Sequence, residues 1–207
     1  MNPSPETDDT REILDLLAEA GQLKRVPRSG WSVASVPDPE SVADHVFRTC
    51  ILGHLLARLE GADPARVVLI LLYHDLAEAR IGDLHRMAAR YLDKATGEQR
   101  ALDAALGGSG LAIKDEIRGL VEAAREGSRE AIVAKDADRL ECMIQGREYH
   151  DAGHRHAEAW YANREGELET ESAKRIARAL VSWNPTGWRD TPSESPRPEP
   201  RPPERDA

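Results

Sequence analysis

The 207-residue chain has few aromatic residues, few cysteines and no long apolar run. Aromatic side chains make up 4% of it, while the helix-favouring residues Ala, Leu, Arg and Glu dominate, so we predict an all-α fold. The longest apolar run, Val67 to Tyr73, is far too short to span a membrane. The two cysteines, Cys50 and Cys142, lie in apolar helical patterns, as is typical of buried, reduced thiols in a cytoplasmic protein.

Positive charge is also in deficit, because 28 Lys and Arg face 37 Asp and Glu and give a net charge of −9. This balance argues against binding to a nucleic acid polymer through its backbone. It leaves room for a small phosphate-bearing substrate, because a metal and a few basic side chains can reverse the field inside a pocket. The N-terminus has neither a basic nor an apolar signal region, so we expect no secretory leader and a cytoplasmic location.

The length favours one domain. We predict a flexible leader over residues 1–8, a helical domain over 9–183 and a disordered tail over 184–207, which holds seven of the thirteen prolines. In the first helix, apolar periodicity predicts a buried stripe of Ile13, Leu14, Leu16, Leu17 and Ala20. The predicted helices, several of them marked by capping residues or a following glycine, cover about 9–23, 41–59, 63–82, 85–107, 112–126, 129–151 and 167–182.

Chemistry-bearing residues stand out in three of these segments: His45, the pair His74-Asp75, and Asp138. Two imidazoles and two carboxylates form a mixed ligand set that favours a catalytic transition metal, and the absence of thiolates excludes a Cys-built structural zinc site. Neighbours on a helix point about 100° apart, so His74 and Asp75 can both reach a metal seated in a groove between helices. Asp136 competes with Asp138 for the last position, and each residue alone could be an ordinary core or surface group.

The ordered motifs run from Leu23 to Trp31 (LKRVPRSGW), Pro39 to His45 (PESVADH), His74 to Glu78 (HDLAE), Ile81 to Asp83 (IGD) and Lys135 to Glu141 (KDADRLE). With these motifs the chain resembles the HD-domain metal-dependent phosphohydrolases over roughly residues 10–150, and most closely their 5′-deoxynucleotidase branch. The resemblance implies a single helical HD-domain bundle. It implies His45, His74, Asp75 and Asp138 as metal ligands, because the family pattern places the last ligand three residues after the lysine.

The resemblance also implies the rest of a site. Glu78 would orient or deprotonate the attacking water, and Asp83 would hold the sugar hydroxyl and help to place the phosphate. Arg28 would contact the phosphate, and Trp31 would exclude a ribose 2′-hydroxyl. The plainer alternatives are a solvated glutamate, a turn-forming aspartate, an exposed arginine and a packing tryptophan.

These observations predict a metal-dependent phosphomonoesterase that removes the 5′-phosphate of deoxyribonucleoside monophosphates. The resemblance implies Mn²⁺ or Co²⁺ as activator, with Zn²⁺, Fe²⁺ and Mg²⁺ as alternatives, and a homodimer without nucleic acid or membrane partners. Rival interpretations are a phosphohydrolase for a modified nucleotide or another phosphomonoester, a di-iron oxygenase and a non-catalytic metal-binding regulator. The histidine-rich stretch 150–156 resembles a metal site, but Gly153 interrupts its helix, so we predict no metal there.

Overall fold

A computed structural model describes residues 5–107 and 112–190. These residues form nine α-helices, and their bounds are α1 Pro5–Gln22, α2 Gly30–Val33, α3 Val42–Glu60, α4 Pro64–Tyr73, α5 Glu78–Ile81, α6 Lys94–Leu106, α7 Ala112–Ala123, α8 Arg129–Asp151 and α9 Glu171–Leu180. Four short 3-10 helices lie at 88–90, 155–160, 165–167 and 187–190. Within the described ranges there is no sheet, only an isolated bridge between Pro27 and Ser41, so the predicted all-α fold is confirmed.

Local capping chemistry sets the start of the long helices. Ser41 and Asp44 form the predicted capping box at α3, and the Asp63 side chain accepts backbone hydrogen bonds at the start of α4, where Pro64 follows it. Ser128 caps α8 in the same way by accepting a hydrogen bond from the Ala131 amide. These interactions need only neighbours in sequence, which is why the sequence predicts these starts well.

The main core lies between α3, α4, α7, α8 and α9. Its fully buried members include Leu56, Ile70 and Leu140, which come from α3, α4 and α8. A smaller cluster joins α6 and α7 to Leu76, which lies just beyond α4. Packing on both sides therefore holds the segment after α4, which carries His74 and Asp75, against the bundle.

Several predicted boundaries and faces differ from the structure. In α1, Leu16 and Ala20 pack against the smaller cluster, but Ile13, Leu14 and Leu17 are 46%, 60% and 61% exposed, because no described element covers that side of the helix. The predicted helix 85–107 is interrupted, because the Asp93 side chain accepts a hydrogen bond from Thr96 and starts α6 anew.

The predicted leader and tail are only partly described. α1 already begins at Pro5, inside the predicted leader, and residues 1–4 lie outside the described residues. Residues 184–190 fold into a turn, where Asn184 Oδ1 accepts hydrogen bonds from Thr186, and a 3-10 helix follows. Residues 191–207 of the predicted tail lie outside the described residues. No helix in the described part of the chain combines the length and the apolarity that a membrane crossing requires.

Candidate metal centre

The four predicted metal ligands meet between α3, the segment after α4, and α8. His45 Nε2 lies 3.1 Å from Asp138 Oδ1 and 3.9 Å from Asp75 Oδ2. His74 Nε2 lies 3.2 Å from Asp75 Oδ2 and 3.9 Å from Asp138 Oδ1. Imidazole nitrogens and carboxylate oxygens therefore alternate around a ring of four atoms that come from three parts of the chain.

Two of these four atoms make no hydrogen bond. His74 Nε2 and Asp75 Oδ2 are buried and make no hydrogen bond. A buried polar atom without a partner costs about 1–3 kcal/mol, and native proteins rarely leave one unexplained. Two donors that bind one cation at about 2.1 Å are about 3.0–3.4 Å apart. The His45–Asp138 and His74–Asp75 spacings of 3.1 Å and 3.2 Å match this range, while the other two spacings are wider at 3.9 Å. The donor set therefore fits a divalent cation, which would satisfy both buried atoms.

A tight turn carries His74 and Asp75. The prediction of a continuous helix to Gly82 was wrong here, because α4 ends at Tyr73. The next amides bond three residues back, from Leu76 to Tyr73 and from Glu78 to Asp75, in the 3-10 manner. His74 keeps helical dihedral angles, and its Nδ1 donates to the Leu71 carbonyl at 2.6 Å. This bond leaves Nε2 facing the ring of donors.

The four groups perturb one another strongly. Burial alone would lower the pKa of His45, but its hydrogen bonds to Asp138 and Glu141 outweigh burial and raise that pKa to about 9. Burial would raise the pKa of Asp75, whereas the charge of His74 beside it holds the pKa well below its usual range. A metal ion requires neutral imidazoles, so its binding must release protons from this cluster.

Asp136, the competitor for the last ligand position, faces away from the ring. It is fully buried, and its carboxylate accepts hydrogen bonds from the Glu169 and Thr170 amides at 3.0 Å and 2.6 Å. It also accepts a hydrogen bond from Thr170 Oγ1 at 2.7 Å. Asp136 therefore fastens the start of α9 to α8, while Asp138, two residues later, faces the histidines.

The predicted phosphate-binding side chain borders the ring. Arg28 Nη1 lies 3.7 Å from Asp75 Oδ2 and 3.4 Å from Asp83 Oδ1, and its Nη2 lies 3.2 Å from Cys142 Sγ. The Ser29 amide donates to Asp83 Oδ2 at 2.5 Å. Asp83 thus ties the loop of Arg28 to the end of α5 and holds the guanidinium next to the metal ligands.

The predicted catalytic carboxylate, Glu78, is also at this place. It is 1% exposed, Lys94 Nζ lies 3.3 Å from its Oε1, and its Oε2 has no hydrogen-bond partner. Burial and the nearby charges of Asp75 and Asp83 raise the pKa of Glu78 to about 8. A cation in the ring would lower this pKa, since positive charge favours the ionised carboxylate.

Trp31, which was predicted to face the substrate, is instead buried. It is 2% exposed, and its Nε1 donates to Glu40 Oε1 at 2.9 Å. Its ring packs against Tyr149 and Trp160 with centroid distances of 5.0 Å and 5.2 Å. The indole therefore forms a small core beneath the Arg28 loop.

Sequence reasoning gave no role to three residues that touch the site: Glu141 contacts His45, Lys94 contacts Glu78, and Cys142 contacts Arg28. The sequence could have indicated Glu141, because it lies one helical turn after Asp138 and therefore on the same face of the helix. The sequence could not have indicated Lys94, because its contact with Glu78 joins residues 16 positions apart across a break between helices.

The histidine-rich stretch separates into unrelated contacts. His150 Nδ1 lies 2.7 Å from the Tyr161 hydroxyl, and His154 packs edge-on against Tyr149. Over residues 5–107 and 112–190, the groups of side chains close enough to hold a metal ion all include His45, and none includes a residue of 150–156.

Helices α3 and α8 and the turn after α4 thus bring two histidines and two aspartates together in a candidate divalent-metal site. The chain matches the family model of the HD domain over residues 20–180. It therefore belongs to the HD-domain family.

Individual relatives agree with this assignment. The chain is 35% identical over 143 residues to the 5′-deoxynucleotidase HDDC2 of Danio rerio, covering 67% of this chain and 70% of that protein. It is 34% identical over 149 residues to HDDC2 of Homo sapiens, covering 70% and 72%. Among solved structures, a conserved hypothetical protein from Pyrococcus furiosus superposes with a TM-score of 0.70 at 33% identity, over 82% of this chain and 99% of that one.

Proposed function

We propose that this protein is a divalent-metal-dependent 5′-deoxynucleotidase that hydrolyses deoxyribonucleoside 5′-monophosphates to deoxynucleosides and orthophosphate. The observation that carries the proposal is the ring of four donors, with buried atoms on His74 and Asp75 that make no hydrogen bond. The relatives named 5′-deoxynucleotidase supply the substrate class.

His45, His74, Asp75 and Asp138 would hold the cation. When bound, it supplies Lewis-acid stabilisation of the phosphate and lowers the pKa of the attacking water. A mixed imidazole and carboxylate set accepts several ions, and we propose Mn²⁺ or Co²⁺ as activators, ahead of Zn²⁺, Fe²⁺ and Mg²⁺.

The other residues divide the remaining tasks. Arg28 binds phosphate oxygens with its forked guanidinium, which already lies beside Asp75. Glu78 takes the proton of the attacking water through its free Oε2 as the water oxygen bonds to phosphorus. The bond from phosphorus to the 5′ oxygen breaks, and that oxygen takes up a proton to leave as the hydroxyl of the deoxynucleoside. Asp83 holds Arg28 in place and offers its carboxylate to the sugar hydroxyl.

Trp31 contributes to sugar selection through the loop that carries Arg28. Its ring is buried, so its effect on the 2′ position passes through the path of that loop. The Glu40 carbonyl accepts from the Arg28 amide at 3.0 Å, while the Glu40 side chain accepts from Trp31. Packing of the indole thus fixes how closely the loop approaches the sugar.

A homodimer fits the surface of α3. Four of its large apolar side chains, spaced four residues apart, are about half exposed or more: Phe47 at 69%, Ile51 at 49%, Leu55 at 53% and Leu59 at 55%. An apolar stripe of this kind on a helix is typical of an interface, and a two-fold dimer buries the same face on both subunits. We therefore propose that α3 packs against its counterpart in a second copy.

Phosphate release from a panel of 5′-dNMPs, 5′-NMPs, 3′-monophosphates and dNTPs tests the activity. Metal-stripped protein is resupplied with Mn²⁺, Co²⁺, Zn²⁺, Fe²⁺ or Mg²⁺, with Asp75→Ala as the inactive variant and Asp115→Ala, a largely exposed aspartate of α7, as the matched control. We expect release from 5′-dNMPs that persists in Asp115→Ala and is lost in Asp75→Ala. A metal-loaded protein that is silent across the panel contradicts the proposal.

A further inference from the structure

The two histidines of the candidate metal centre are oriented by different acceptors. His74 donates from Nδ1 to a backbone carbonyl, whereas His45 Nδ1 lies 2.5 Å from the Glu141 carboxylate. Thr49 Oγ1 lies 3.5 Å from the same nitrogen, but its hydroxyl donates to the His45 carbonyl at 2.7 Å. Glu141 is therefore the acceptor at Nδ1, while Nε2 faces Asp138 at 3.1 Å, so His45 with a cation on Nε2 would carry its proton on Nδ1.

Glu141 is itself held rigidly. It is fully buried, and Arg48 donates to its Oε1 from Nε at 2.8 Å. The same guanidinium binds Glu148 at 2.7 Å and also contacts Gln145. A buried carboxylate is tolerated when it is paired in this way, and a planar guanidinium fixes its orientation as well as its charge.

The arrangement repeats on both helices that supply the ligands. Arg48 lies one turn after His45 on α3, and Glu141 lies one turn after Asp138 on α8. Each ligand therefore shares a helix face with a member of the supporting pair. The pair joins the two helices directly behind the donors, so any change in it is transmitted to the His45 ring.

We propose that Glu141 is a positioning residue, which keeps the proton of His45 on Nδ1 and aims Nε2 at the cation, and that Arg48 holds Glu141 for this task. The proposal rests on the proposed metal site. Outer partners of ligating histidines typically contribute 10–100-fold to metal affinity. We expect a loss of about that size in Glu141→Gln, because the amide presents a weaker acceptor and cannot accept at both of its polar atoms.

Co²⁺ titration of the metal-free full chain tests the proposal, followed by the visible d–d absorption of the bound ion. We expect Glu141→Gln to weaken binding about 10–100-fold and to shift the absorption bands. Glu148→Gln is the matched control, because it removes a contact of the same arginine without touching His45, and should change affinity less than about threefold. Arg48→Gln, at a side chain 30% exposed, gives a second variant if Glu141→Gln does not fold, and should weaken binding in the same direction.

The outcomes separate the two proposals. If wild-type protein binds Co²⁺ and folded Glu141→Gln binds it within about threefold with an unchanged spectrum, the role of Glu141 is wrong while the metal site stands. An equal loss in Glu148→Gln also overturns it, because the effect then belongs to general packing around Arg48. If the wild type fails to bind Co²⁺, or Asp138→Asn binds it as well, the metal site itself is wrong and the role of Glu141 falls with it.

Discussion

Asp136 and Asp138 provide a direct test, because substitution of these two aspartates on one helix should affect different properties. The Asp136 variant should lose stability, and the Asp138 variant should lose metal binding. Asp136 is fully buried, and its two carboxylate oxygens accept hydrogen bonds from three donors. Asp136→Asn keeps the shape of the side chain but has only one oxygen to accept these bonds. Hydrogen bonds to a charged group contribute about 1.5–3 kcal/mol each. With one or two of them lost, we expect the free energy of unfolding to fall by about 2–5 kcal/mol.

Asp138→Asn should behave differently. Its side chain is 38% exposed, so water screens part of its interaction with the two histidines, and we expect a smaller loss of stability in the metal-free protein than for Asp136→Asn. Because it removes a direct ligand, we expect it to weaken Co²⁺ binding by more than the roughly 10–100-fold typical of an outer partner. In contrast, Asp136→Asn should leave Co²⁺ affinity nearly unchanged.

Thermal unfolding with a chelator, paired with Co²⁺ titration, measures both effects on the same samples. For a chain of this size, each kcal/mol shifts the melting temperature by roughly 2–4 °C, so Asp136→Asn should melt roughly 4–20 °C below wild type. Loss of Co²⁺ binding in Asp136→Asn with unchanged stability would refute the assignment and make Asp136 the ligand.

Three further predictions concern packing, pH and assembly. Gly146→Ala should lower the free energy of unfolding by about 1–2 kcal/mol, because its new Cβ would lie 2.7 Å from Trp160 Cβ. Gly119→Ala, whose Cβ would have nothing within 4 Å, should raise that free energy by about 0.5–1 kcal/mol. Urea unfolding measures both changes. Burial and the charge of Glu141 raise the pKa of Glu40 from 4.5 to about 7. The native state therefore keeps a proton that the unfolded state loses above about pH 4.5, and the stability of the wild type falls as the pH rises from there to about 7. Glu40→Gln carries no such proton, so it should gain stability over wild type, by up to about 3 kcal/mol, between about pH 5 and pH 8. Melting temperatures of the two proteins that change in parallel with pH would contradict this. Ile51→Glu should convert a dimer to a monomer in light scattering; an unchanged mass would exclude the α3 interface.

The predictable parts of the fold are those set by neighbours in sequence. The start of α3 follows from Ser41 and Asp44, and α8 begins and ends where its helical pattern indicated, at residues 129 and 151. The family resemblance, confirmed by the HD-domain match, located the segments that converge at the site. Apolar periodicity failed for α1, because it shows that a face is apolar and not that another element covers it.

The remaining features depend on contacts between distant parts of the chain. The change from α-helix to a 3-10 turn after Tyr73 leaves no mark in a pattern of apolar residues. The salt bridge from Lys94 to Glu78 and the burial of Trp31 beneath Tyr149 and Trp160 arise only when separate helices pack. The roles of the site residues themselves stay predictions until variants are measured.

The measurement that tests the central claim most directly is a crystal structure of the Co²⁺-loaded protein with anomalous scattering at the cobalt edge. The account predicts an anomalous peak about 2.0–2.2 Å from His45 Nε2, His74 Nε2, Asp75 and Asp138. A peak at His45 Nδ1 with Glu141 and Cys142, the other metal-capable group among the described residues, would contradict it, as would ligation by Asp136.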